Sequence, residues 1–184
     1  MLQPSEDNSN MQSTVVALFA FLAIASACEQ WPNGTDTKLN WFQSCTGNVV
    51  VHSLQTTDAN GNAEYPIHLG KPLYVHLNIT NNGQVYNNMK LDTNIWNWGG
   101  WTGCSWHSLP TLGLLSNQDA CTNGVPCPIP VGNQLLTVTL DFSKYQAIID
   151  LLTNDAPYQL QQVITDSASG SKLCVTVQSR ALIH

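Results

Sequence analysis

Apolar and polar residues alternate strictly from Leu73 to Thr80. Leu73, Val75, Leu77 and Ile79 fall on one side, and Tyr74, His76, Asn78 and Thr80 on the other. That period of two is the mark of a half-buried antiparallel strand. Thr80-Asn-Asn-Gly83 then reads as a turn. The same period recurs elsewhere. Val49, Val51 and Ser53 alternate with Val50, His52 and Leu54. Met89, Leu91, Thr93 and Ile95 alternate with Lys90, Asp92, Asn94 and Trp96. Leu136, Val138, Leu140 and Phe142 alternate with Leu135, Thr137, Thr139 and Asp141. Tyr158 to Thr165 and Leu173 to Ser179 read as two strands of a hairpin, joined by the polar turn from Asp166 to Ser171. Short strands at this spacing, with Gly, Pro and Asn between them, predict an all-β protein, a two-sheet antiparallel β-sandwich. One segment breaks the pattern. Ser143 to Thr153 would place Tyr145, Ile148, Ile149 and Leu152 on one side of a short helix, although an extended form fits it too.

The N-terminal end has a different character. Val15 to Ile24 is an unbroken run of ten apolar residues, right for a signal-peptide core and too short to span a bilayer. Ala25-Ser26-Ala27 follows as a small-x-small cleavage site. The n-region lacks Lys and Arg, and translation from Met11 would remove Glu6 and Asp7. Lipidation of Cys28 is the rival reading, but Ala25 stands where such signals want Leu. Residues 1–27 are therefore read as a signal peptide, 28–40 as an N-terminal extension and 41–184 as one domain. Cleavage after Ala27 leaves 157 of the 184 residues, with 10 acids against 6 bases, a net charge of −4. Charge is sparse and no basic cluster occurs, so nucleic acid is excluded as a partner class.

Entry into an oxidising compartment gives the cysteines meaning. Cys28, Cys45, Cys104, Cys121, Cys127 and Cys174 make an even set with fifteen possible pairings. No C-x-x-C pair is present, so staples are preferred to a zinc site. Asn33-Gly-Thr35 and Asn78-Ile-Thr80 are N-glycosylation sequons in such a route. Asn78 falls on the polar side of its strand, where a glycan must sit.

Catalytic patterns do not emerge. The chain has no G-x-S-x-G, H-E-x-x-H or phosphate-binding glycine loop. Ser169-Gly-Ser-Lys172 fits S-x-x-K but lies in a hairpin turn without its companion motifs. Glu29 and Glu64 are the only glutamates after cleavage. Asp141 and Asp150 are better read as solvated positions than as a glycosidase pair. His107, beside Cys104, lacks ligand spacing. The expectation is a non-enzyme without cofactor or metal.

The distinctive segment is Ile95 to Leu115. It carries Trp96, Trp98, Trp101 and Trp106, then Leu109, Leu112, Leu114 and Leu115, broken by Gly and Pro. The breaks argue against regular structure. This apolar load reads either as a cap on the core or as a cavity mouth or membrane-touching surface.

From Phe42-Gln-Ser-Cys45 to the C-terminus the chain resembles the ML lipid-recognition family, which includes the Niemann-Pick type C soluble sterol carrier and the ganglioside activator. Four features carry the resemblance. Phe42-Gln-Ser-Cys45 opens the domain. His68-Leu-Gly-Lys71-Pro72 precedes a strand ending in a sequon. Cys121 to Cys127, followed by Pro128-Ile129, looks like the family's stapled loop. Lys172-Leu-Cys174-Val-Thr-Val sits in the last strand. The resemblance implies an immunoglobulin-like sandwich whose sheets splay around a lipid, with Cys45–Cys174 and Cys121–Cys127 bridges. Cys28 and Cys104 are left over, and the sequence leaves open whether they pair with each other. The family's short early disulfide loop is absent, since Asn60 to Glu64 holds no cysteine. The implied cavity lining is Val75, Leu77, Leu91, Leu136, Val138, Leu140 and Phe142, with Leu112, Leu114 and Leu115 towards its mouth. Trp96, Trp98, Trp101 and Trp106 would stand at the mouth or meet a membrane. The implied function is a secreted or lysosomal carrier of a sterol, phospholipid or glycolipid. The alternatives are a lipid-sensing co-receptor with a protein partner, or an adhesive sandwich with a filled core.

Overall fold

In the computed structural model, which describes residues 28–100 and 103–183, alternation along the chain becomes burial. Strand β4 (Leu73–Asn81) buries Leu73, Val75, Leu77 and Ile79 and leaves Asn78 exposed. Strand β5 (Met89–Trp98) buries Met89, Leu91, Thr93 and Ile95. Residues 1–27, the predicted leader, and Trp101 lie outside the described residues.

Strand β2 (Val49–Thr57) departs from strict alternation. Val49 and Val51 are buried as expected, but then Leu54 is buried and Ser53 exposed. A register shift between Val51 and Ser53 is the cause. A bulge adds one residue to one strand, so the inward set changes phase there. Leu54, on the polar side by simple counting, therefore faces the core.

Two antiparallel sheets pack as a sandwich. The larger has the order β1 (Asn40–Gln43), β10 (Lys172–Leu182), β9 (Ala156–Asp166), β5 and β6 (Trp106–Ser108), with β3 (Ile67–His68) beside β10 and parallel to it, and β7 (Gln118–Asp119) beside β5. Its main strands besides β5 are β9 and β10, the predicted hairpin. The short members β1, β3, β6 and β7 were not legible, because four residues or fewer give alternation too little length to register. The smaller sheet is β2-β4-β8, where β8 is Gly132–Leu140. This strand was expected to reach Phe142. It stops earlier because the Asp141 carboxylate accepts the Ser143 amide at 3.1 Å and starts a 3₁₀ turn at Phe142–Lys144. The helix expected over 143–153 shrinks to that turn plus α1 (Gln146–Ile149). Ile148 and Ile149 are buried, and Tyr145 and Leu152 pack against the same cluster.

The tryptophan segment is more regular than its glycines suggested. Trp96 to Trp98 complete β5, and Trp106 to Ser108 pair back on them as β6. Trp98 and Trp106 rings meet with centroids 5.2 Å apart.

Three disulfides pin the margins. Cys45–Cys174 fastens the chain after β1 to β10, Cys121–Cys127 closes the loop before β8, and Cys28–Cys104 ties the N-terminal segment to the β5–β6 loop. The segment before β1 lies along the larger sheet. The Asn33 amide donates to Gln178 at 2.8 Å, the Tyr65 hydroxyl donates to the Thr35 carbonyl at 2.6 Å, and Arg180 sits 5.0 Å over the Trp31 ring.

Candidate functional site

Between the sheets the apolar faces do not close completely. The smaller sheet lines the remaining void with Leu54, Thr56, Leu73, Val75 and Leu77. The larger sheet lines it from β9 and β10, with Tyr158, Leu160 and Ile164 opposite Leu173, Val175 and Val177. Leu140, Phe142, Ile148 and Leu152 form one end. Polar groups are few. Gln162 and Ser179 contribute, and the Tyr158 hydroxyl is already occupied, accepting the Thr153 amide at 2.6 Å and donating to its carbonyl at 3.0 Å. Burial pushes the Tyr158 phenol above its ordinary pKa, so it stays neutral at physiological pH.

The void is about 70 Å³. An engineered cavity of about 150 Å³ takes one benzene. A lipid chain or ring system would therefore enter only with the sheets moving apart.

Two surface concavities adjoin the void. One, about 160 Å³, lies where β5 and β7 approach β8 and shares Leu140, Phe142 and Gln162 with the void. Its wall is mixed, with Gln118, Thr122, Asn123, Asp141, Lys144 and Tyr145 beside Leu91 and Leu115. The Ser143 hydroxyl donates to Asp141 and holds its carboxyl below the ordinary range. The other, about 680 Å³, lies where β1 approaches β2 and shares Leu39, Leu54 and Thr56 with the void. Trp41, Glu64 and Tyr65 stand on its walls.

The residues singled out from the sequence do not fall in one place. Val75, Leu77, Leu140 and Phe142 line the void. Leu136 and Val138 sit in the packed core beside it, and Leu91 and Leu115 line the concavity between β5/β7 and β8. Leu112 and Leu114 are not at the void. Leu112 is 79% exposed on a loop with φ of 51°, and Leu114 is 44% exposed. Trp96, Trp98 and Trp106 are half-buried around the β5–β6 hairpin and away from the void's lining, and the Trp98 ring nitrogen donates to the Glu29 carbonyl at 2.7 Å.

Sequence reasoning missed the β9 and β10 contribution. The alternations Tyr158, Leu160, Gln162, Ile164 and Leu173, Val175, Val177, Ser179 were visible, and reading them as inward faces would have found it. Leu54 was hidden by the bulge. Among the described residues, no group of three His, Cys, Asp or Glu side chains is placed to hold a metal ion, and no helix is long and apolar enough to cross a membrane.

No protein-family model matches the chain, and no curated protein matches its sequence. Two solved structures are similar in fold. A Niemann-Pick type C2 protein from Japanese carpenter ant superposes with a TM-score of 0.45 at 12% identity, over 77% of this chain and 98% of that one. The C-terminal domain of wzt gives 0.42 at 8% identity, over 80% of each chain. At these values neither carries an argument about ligand or residue roles.

Proposed function

We propose that the protein binds a lipid-like molecule between its sheets, carrying or presenting it without bond chemistry. The observation that supports this is the void itself, whose walls come from both sheets and are almost wholly apolar. Each methylene moved from water into such surroundings gains about 0.8 kcal/mol. An acyl chain or fused ring system is thus held without any polar motif. The ML resemblance in the sequence points the same way, and makes a sterol, phospholipid or glycolipid the ligand class. The leader-like N-terminus, three disulfides and two sequons support a secreted or lysosomal protein. Within this reading, passing contact with a membrane and docking to a receptor or lysosomal protein are compatible steps.

The test is native mass spectrometry with organic extraction of protein secreted from a eukaryotic host. A stoichiometric lipid is expected. A clean protein mass, unchanged after incubation with a sterol and phospholipid panel, would sink the carrier reading. One observation favours a second reading, an adhesive sandwich acting through a protein partner. The void, about 70 Å³, is smaller than the cavity of about 150 Å³ that takes one benzene.

A further inference from the structure

The two margins of the sandwich are closed differently. At the β5/β7–β8 margin the Thr139 amide donates to the Gly124 carbonyl at 2.9 Å, and Gln118 donates to the Tyr145 hydroxyl at 2.6 Å. Gly124 has φ of 92°, and a Cβ there would lie 1.9 Å from the Thr139 carbonyl oxygen. Backbone approaches backbone too closely for any other residue. The adjacent Cys121–Cys127 bridge fixes that loop further.

At the opposite margin, β1 and β2 belong to different sheets and form no ladder with each other. One side chain joins them. The Gln43 carboxamide donates to the Val49 carbonyl at 2.7 Å and accepts the Val51 amide at 3.1 Å. Past Val51 comes the bulge, and past the bulge no such clasp exists among the described residues. There Leu39 and Trp41 on one side face Leu54 and Thr56 on the other across the larger concavity. The far end is a small hairpin: the Glu64 amide donates to the Thr56 carbonyl at 3.1 Å, and the Thr56 hydroxyl donates to the Glu64 carbonyl at 2.9 Å.

Glu64 is unusual on this rim. It is 7% exposed. Oε1 accepts from the His68 amide at 3.2 Å and from His68 Nδ1 at 2.8 Å, with Lys71 Nζ at 3.5 Å. Oε2 is buried and has no partner. A buried acceptor left unmade is costly, so it calls for a donor.

We propose that the β1–β2 seam is the entrance through which the ligand's apolar body reaches the void, and that Glu64 on its rim takes a hydrogen bond from the ligand's head. Three residues, Leu39, Leu54 and Thr56, line both seam and void, so these side chains are what stands between the two, and parting β1 from β2 would join them. The head group it selects is a donor such as an alcohol. A carboxylate head would meet a carboxylate. This rests on the reading of the void as a ligand cavity.

The test uses N-phenyl-1-naphthylamine as a neutral fluorescent probe, with stopped-flow association. Ala63→Trp, which lines the seam and not the void, fills the seam and should slow association about tenfold, within the spread seen among variants of one site. Dissociation should slow in parallel, leaving the equilibrium affinity within a few-fold. Trp41→Ala widens the seam and should speed association, which guards against an Ala63→Trp protein that folds poorly. Thr122→Trp, on the opposite concavity, should leave the rate unchanged. Slowing by Thr122→Trp with none from Ala63→Trp would overturn the entrance and leave the cavity reading standing. No probe binding by the wild-type protein would overturn both. For the head group, decanol should displace the probe about tenfold more tightly than decanoate, the size of one charge-assisted hydrogen bond. Glu64→Gln should bring the two together. Equal displacement by both in the wild-type protein would overturn the role of Glu64.

Discussion

The Gln43 carboxamide and the Val49 carbonyl, 2.7 Å apart, join two sheets that share no strand pairing at that margin. A side-chain amide has the same donor and acceptor as a peptide unit, so Gln43 completes the edge of β2 as another strand would. Replacing Gln43 by Ala leaves the Val49 carbonyl and the Val51 amide without that partner. The expected cost is about 1–3 kcal/mol. Thermal unfolding should show a midpoint several degrees lower, and Gln43→Glu, which keeps the acceptor and loses the donor, should fall between.

Residues facing the void should be less costly to truncate than those in the packed core. Ile79 has no exposure and lies in the main cluster, whereas half-buried Leu160 lines the void. Ile79→Ala should cost about 2–5 kcal/mol in urea unfolding. Leu160→Ala should cost less, since a side chain beside empty space already lacks some contacts. A cost for Leu160→Ala equal to that for Ile79→Ala would show the void to be closed in solution.

The bridges should differ in worth by the chain length they close. Cys45 and Cys174 are 129 residues apart, and Cys121 and Cys127 only 6. Loop entropy gives about 5 kcal/mol for the long closure and about 2 kcal/mol for the short one. Paired serine replacements, compared by thermal or urea unfolding, should rank in that order.

Asp166 links stability to pH. Its carboxylate is 1% exposed and accepts from the Ser169 hydroxyl at 2.6 Å, the Ser169 amide at 2.9 Å and Gln84 at 3.0 Å. These bonds, the Ser169 hydroxyl first, hold its pKa below the ordinary value. The ionised form is favoured by folding, so its stabilisation is complete above about pH 4, the unfolded value. It is lost as pH falls through the lower folded pKa. Asp166→Asn should lower the unfolding midpoint at pH 7. The gap from wild type should narrow in acid, as followed by circular dichroism.

The sequence by itself determined the strands that are long enough to repeat. Leu73 to Ile79 and Met89 to Ile95 state their inward faces outright, because a strand shows every second side chain to the core. It also determined the architecture class, since several such strands separated by turns have to pack face to face. Tertiary structure alone decided the rest. The bulge in β2 changes which of Ser53 and Leu54 points inward, and a register shift depends on the partner strand. Strands as short as β1 exist only because β10 lies beside them. The exposure of Leu112 and the burial of Leu115, three residues apart in one apolar run, follow from the loop's path and from no property of leucine. Whether inward residues meet or leave a void is set by the spacing of the two sheets, a long-range quantity to which no single stretch of the chain corresponds.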